Sequence, residues 1–176
     1  MKKIFLVVLA SLLALGIYLY VYLGFSEPVA IARETLGPYH LLYKEHIGPY
    51  HEMGPTLNEV ESWAHAQNLA CPQTFGEYLD DPEAVDQDRL RSRAGCVLRT
   101  APTNVPESFA YELREKKTYV VARFRGSPAI GPFTVYPKVE SHMQAERLKV
   151  SGPVIEIYNV SGSRVLTEYL FPIQTL

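Results

Sequence analysis

The sequence predicts an α+β domain, a duplicated strand-helix-strand-strand unit with pseudo-two-fold symmetry, behind one N-terminal transmembrane helix. Three observations carry this expectation. Six short segments alternate apolar and polar residues at the period of a strand, and two longer ones repeat at the period of a helix. These segments follow the same order in both halves of the chain. The chain also opens with a run too long and too apolar for a globular surface.

That run is the first element. After Lys2 and Lys3, residues 4–24 carry no charge, and 21 residues of helix span about 31 Å, the thickness of a bilayer core. A cleavable signal peptide has a shorter apolar region and a small-residue cut site. The one such site, Ala14-Leu15-Gly16, would leave IYLYVYLG on the mature chain. Residues 1–26 are therefore read as a retained single-pass anchor, with Tyr18, Tyr20 and Tyr22 in the interfacial aromatic belt. The two lysines place the domain outside the cytoplasm, periplasmic in a bacterium. Residues 27–38 read as a short linker and 39–176 as the domain.

The first unit begins with a strand at 39–48, framed by two copies of Gly-Pro-Tyr-His. Each Gly-Pro breaks regular structure where the chain turns. His40, His46 and His51 invite a metal reading. Their spacing of six and five fits neither a helical pair nor a zinc finger, so no metal and no cofactor is assigned. A helix over 54–68 follows, opened by the capping box Thr56-x-x-Glu59 and packed through Leu57, Val60, Trp63, Ala64 and Ala66. TFGEYLDD and AGCVLR supply two strands. Asp80 and Asp81, before Pro82, read as turn chemistry with Arg89 or Arg91 as charge partner. Pairing 75–80 with 94–99 puts Cys96 opposite Tyr78, about 23 Å along the ladder from Cys71, so both cysteines are expected as free thiols.

The second unit repeats the order: a strand at 118–126, a helix within 134–150 using Val139, Met143 and Leu148, then strands PVIEIYNV and SRVLTEYLFPI around a turn at 161–163. Neither unit alone covers both faces of its sheet, so the two are expected to pack together with a groove between them.

HIGPY after the first strand, GEYLDDPEAVDQDRLRSRAG in the middle, and VIEIYN with TEYLFPI near the end together resemble the GyrI-like small-molecule-binding superfamily over residues 39–173. The resemblance extends to a membrane-anchored eukaryotic member, an endoplasmic-reticulum autophagy receptor, whose membrane helix also stands directly ahead of this domain. That receptor's acidic C-terminal tail has no counterpart here, nor has a regulator's helix-turn-helix. The resemblance implies a ligand groove lined by aromatics around a buried carboxylate.

The residues offer candidates of their own. Alternation in VIEIYNV puts Val154, Glu156 and Tyr158 on one face, which desolvates the acid and favours a cationic ligand. Tyr43, Tyr50, Tyr78, Phe124 and Tyr158 supply π surface around it. Glu168 is the weaker carboxylate candidate, and Trp63 is assigned to packing. The expected function is a membrane-anchored binding domain for small aromatic or cationic molecules. One alternative is hydrolysis of strained electrophiles by Glu156 with Tyr158; another is a membrane-proximal interaction module without a small ligand. No Ser-His-Asp, phosphate-loop or H-E-x-x-H pattern is present. The net charge of −2 speaks against a nucleic-acid partner.

Overall fold

In a computed structural model that describes residues 2–162 and 164–175, the chain is one antiparallel sheet with helices on one of its faces. The apolar N-terminal run forms α1 (Lys2–Leu23), the one helix among the described residues long and apolar enough to cross a membrane. The strands are β1 (Val29–Leu36), β2 (Tyr39–Ile47), β3 (Gln73–Tyr78), β4 (Arg91–Leu98), β5 (Ala110–Arg114), β6 (Lys117–Arg125), β7 (Leu148–Val150), β8 (Val154–Ser161) and β9 (Arg164–Thr175). Helix α2 (Gly54–Ala66) lies between β2 and β3, and α3 (Gly131–Thr134) and α4 (Tyr136–Ala145) lie between β6 and β7. The sheet order is β1-β6-β9-β8-β3-β4-β2-β5, with β7 on β9.

The strand-helix-strand-strand order occurs as β2-α2-β3-β4 and again as β6-α4-β8-β9, with β1, β5 and β7 added to the expected strands. The stretch read as a linker is β1, paired along its length with β6 from Val29↔Phe124 to Leu36↔Lys117. Its alternation is obscured because an edge strand buries little on either side. Gly37 and Gly48, the glycines of the repeated Gly-Pro, have φ of +102° and +131° at the two ends of β2, so a left-handed backbone explains the repeat.

Further expectations are corrected. Thr56 does not cap α2: the helix starts at Gly54 with Met53 as N-cap, Pro55 in the first turn and no side-chain cap. Thr56 faces His46, and Glu59 accepts from Lys44 Nζ at 2.8 Å. Ala66 is exposed, and Leu148 lies in β7, not on the helix.

The cysteines form a disulfide, Cys71–Cys96, with Cα atoms 5.4 Å apart. The β3–β4 register is Thr74↔Cys96 and Tyr78↔Ser92, four residues away from the pairing expected. Cys71, just before β3, therefore comes within bridging range of Cys96.

Helix α2 covers Leu42, Cys96 and Leu98 through Val60 and Ala64, with Trp63 edge-on to Phe109 at 5.5 Å. Val135, Val139 and Met143 cover Val120, Ala122, Phe124, Tyr169 and Phe171. On the other face, Leu41 and Tyr43 of β2 share a cluster with Tyr119 and Val121 of β6, strands far apart in the sheet order. The cluster runs between them across the intervening strands through Val97, Phe75, Ile157 and Leu170.

Candidate functional site

Between α2 and the α3–α4 pair the sheet is uncovered, and its floor there is β3 and β8, joined by Thr74↔Tyr158, Gly76↔Glu156 and Tyr78↔Val154. Period-two alternation turns Thr74, Gly76, Tyr78, Val154, Glu156 and Tyr158 toward this gap. The result is a cavity of about 1210 Å³, walled by Met53 and Leu57 on one side and Pro132 and Tyr136 on the other.

Glu156 lies on the floor, 4% exposed. Tyr136 donates to its Oε1 at 3.0 Å and Tyr158 to its Oε2 at 3.1 Å. Because the Tyr158 proton is used on Glu156, Tyr78 donates to the Tyr158 hydroxyl, 2.9 Å away. Tyr50 packs edge-on to Tyr78 at 4.8 Å, donates to Asp80 O at 2.7 Å and accepts from Asp80 N.

Burial pushes the Glu156 carboxyl up to about 7, against the opposing pull of the two tyrosine hydrogen bonds. Tyr158 and Tyr136 are raised well above the ordinary phenol range by burial and by the adjacent carboxylate, so they remain neutral donors. Among the described residues, the groups hydrogen-bonded to Glu156 are these two hydroxyls, with no basic side chain paired to it. An aromatic-walled cavity around a half-neutralised carboxylate can take up an organic cation, or hold and release a proton near neutral pH.

Of the residues named from the sequence, Glu156, Tyr158, Tyr78 and Tyr50 line this cavity, and Tyr43 and Phe124 do not. Tyr43 is on the opposite sheet face, its ring covered by the Arg93 guanidinium at 4.9 Å. That face also holds Glu77, 2% exposed, between Arg93 (3.2 Å) and Arg114 (2.8 Å). Phe124 is wholly buried in the cluster beneath α4. Glu168 pairs with Arg123 at 2.7 Å. Asp80 is bonded by Arg91 and Asp81 accepts from Glu83 N, as turn chemistry requires.

The histidines are dispersed: His40 Nδ1 is 2.7 Å from the Tyr111 hydroxyl, His46 faces Pro49 O, and His51 is exposed beside Glu52. Among the described residues no three His, Cys, Asp or Glu side chains are grouped to hold a metal.

Tyr136 escaped the sequence reading. Its signal was there, since Tyr136, Val139 and Met143 fall at i, i+3 and i+7 on one helical stripe.

Comparisons with known proteins agree with this architecture. The family described as GyrI-like small molecule binding domain matches residues 31–174. DNA gyrase inhibitor 2 of Dickeya dadantii (strain 3937) is 36% identical over 53 residues, 30% of this chain and 34% of that protein, so the match spans about a third of the relative's length. The C-terminal domain of EcmrR superposes with a TM-score of 0.62 at 17% identity, covering 85% of this chain and 99% of that one. SAV2435 bound to tetraphenylphosphonium superposes with a TM-score of 0.54 at 11% identity, covering 82% and 94%. EcmrR in a DNA complex gives 0.66 at 14% identity, with 84% of this chain on 58% of that one. At these identities the superpositions speak for the fold alone.

Proposed function

Since this chain belongs to the GyrI-like small-molecule-binding family, we propose that it is a membrane-anchored receptor for small aromatic cations, which it holds against Glu156. The observation that carries the reading is a buried carboxylate facing a large cavity with two neutral hydroxyls and no cation as partners. A cation entering the cavity supplies the missing charge, and Tyr50, Tyr78, Tyr136 and Tyr158 supply ring faces and edges.

The test is calorimetric titration with tetraphenylphosphonium and the neutral triphenylphosphine oxide. Glu156→Gln should weaken the cation by roughly 1.5 to 3 kcal/mol, the Coulombic attraction of two unit charges about 6 to 10 Å apart at an effective dielectric of about 20, and leave the neutral compound nearly unchanged. Equal losses for both would refute charge recognition. No binding of either would favour a protein-interaction module instead.

A second reading has one observation in its favour. A carboxyl pushed up to about 7 beside two fixed O–H groups has the properties of a general base acting on an electrophile. Turnover of strained electrophiles that is lost in Glu156→Gln would establish it.

The anchor reading extends to sidedness. Lys2 and Lys3 at the start of α1 and the Cys71–Cys96 disulfide both support a domain on the non-cytoplasmic side, where thiols stay oxidised.

A further inference from the structure

The anchor is not tethered to the domain by a slack segment. Only residues 24–28 separate α1 from β1. Leu23 O accepts from Ser127 N at 2.9 Å, and the Leu23 side chain packs onto the cluster beneath α4. A Cβ on Gly24 would stand 2.8 Å from Gly126 Cα, and one on Gly126 would stand 2.9 Å from Leu23 O. Two glycines thus let the end of the helix lie directly on the end of β6. Phe25 stacks back on Tyr20 at 5.5 Å.

The residue after Ser127 is Pro128, where the cavity wall begins; Ala129 and Pro132 continue it. Strand register places the rest of that end. Val29, Phe124, Thr167, Tyr158 and Thr74 form one row across the sheet, so the β8–β9 hairpin lies beyond this row on the anchor side. From the hairpin, Val160 and Val165 line the cavity. Val160 is 69% exposed, and Phe133, on the short helix that follows Ser127, is 78% exposed. The opposite end of the cavity, six residues along β3 or about 20 Å, is lined by Asp80, Asp81 and Glu83. The cavity is therefore polarised, apolar where the anchor docks and charged at the far end, where Arg91 pairs with Asp80, and Asp81 and Glu83 add acid, with Glu156 between.

We propose that the apolar end of the cavity is seated on the bilayer leaflet from which α1 emerges, with Phe133 and Val160 in the headgroup layer, and that the ligand is a cationic amphiphile drawn from that leaflet. Its apolar tail lies toward the anchor and its positive head reaches Glu156. This rests on α1 being a retained anchor and on Glu156 being the cation site. The occupant of the exposed apolar rim follows from continuity with the anchor, because residues fixed beside the point where a membrane helix ends share its interface.

The test uses the full chain in proteoliposomes, with Trp63→Phe to remove the single native tryptophan and a reporter at Phe133→Trp or Ile47→Trp. Ile47 is 70% exposed at the other end of the strands. Lipids brominated near the top of the acyl chain should quench position 133 at least about twofold more than position 47. Equal quenching at the two positions, weak or strong, overturns the seating. A chain that fails to float with the liposomes overturns the anchor reading and this one with it. In nanodiscs, after subtraction of empty discs, dodecyltrimethylammonium should bind at least about tenfold more tightly than butyltrimethylammonium, since each buried methylene adds to affinity. The dodecyl compound should also bind at least about tenfold more weakly to Glu156→Gln, the loss of one Coulombic attraction. No chain-length dependence overturns the amphiphile assignment. Chain-length dependence that is unchanged in Glu156→Gln leaves the seating intact and refutes Glu156 as the head-group site.

Discussion

Glu156 should make the empty domain less stable as pH rises, and Glu156→Gln should remove that dependence. In the folded chain burial pushes its carboxyl from 4.5 up to about 7, whereas the unfolded chain releases the proton near 4.5. Between these values the folded state holds a proton that the unfolded state has lost, so stability falls as pH rises. Its contribution is fully present below pH 4.5 and gone above pH 7. At 1.36 kcal/mol per pH unit of displacement, the loss across the window is about 3 kcal/mol. That is roughly a 10 °C fall in Tm for a domain of this size. Thermal unfolding of the full chain in detergent, followed through Trp63 and repeated from pH 4 to pH 8, measures it directly. Wild type and Glu156→Gln should nearly coincide at pH 4, and the variant should be more stable at pH 8. Parallel curves would mean that Glu156 is solvated in the folded state, and the argument from its burial would fail. A bound cation should flatten the wild-type curve, because it supplies the charge that the cavity lacks.

Alkylation of the denatured, unreduced protein should add no label, and reduction should expose two thiols. Removing the bridge with Cys71→Ala and Cys96→Ala should cost about 3.5 kcal/mol for a 25-residue separation, read by urea unfolding. Tyr136→Phe deletes one hydrogen bond that holds the Glu156 carboxylate, so the carboxyl should titrate at higher pH; a pH series of cation affinity would show the midpoint move upward. Arg114→Met leaves the buried Glu77 with Arg93 as its remaining cation and should destabilise by about 1.5 to 3 kcal/mol, the range for a hydrogen bond to a charged group; pairing it with Glu77→Gln should recover part of the loss in denaturant titrations.

Alternation put Glu156 and Tyr158 on one face, because a residue's face on a strand depends only on parity, and the family resemblance made that face the candidate groove. The same parity hid the disulfide. The expected β3–β4 pairing and the real one differ by four residues, and an even slip leaves every side chain on its proper face. No hydrophobic pattern in Phe75, Ala94 or Cys96 distinguishes the two registers; α2 and the β8 pairing fix the choice. Tyr43 and Phe124 were misplaced for different reasons. Tyr43 points to the face opposite the cavity, and which face of β2 would be covered by α2 is a tertiary fact. Phe124 is on the cavity's face but lies beneath α4. Strands β1 and β5 went unread because they form the sheet's two edges, where burial is shallow and alternation weak.

The order of the sheet also dictates an order in time. Strands β2, β4, β3 and β5 come from one contiguous stretch of chain, and β6, β8 and β9 from the next, so each group can pair soon after it leaves the ribosome. Strand β1 is made early, yet its partner β6 follows by nearly ninety positions, about 5 to 20 seconds of synthesis. On the anchor reading proposed above, the helix before it holds the nascent edge at the membrane surface meanwhile. The two groups meet along a single seam, β3 against β8. That seam is the floor under Glu156, so the costly desolvation of the carboxylate is expected in the last step of assembly. Pulsed hydrogen exchange should find the amides of β3 and β8 that bond across this seam protected after those bonded between β3 and β4 or between β6 and β9; protection of all of them at the same time would contradict this sequence of events.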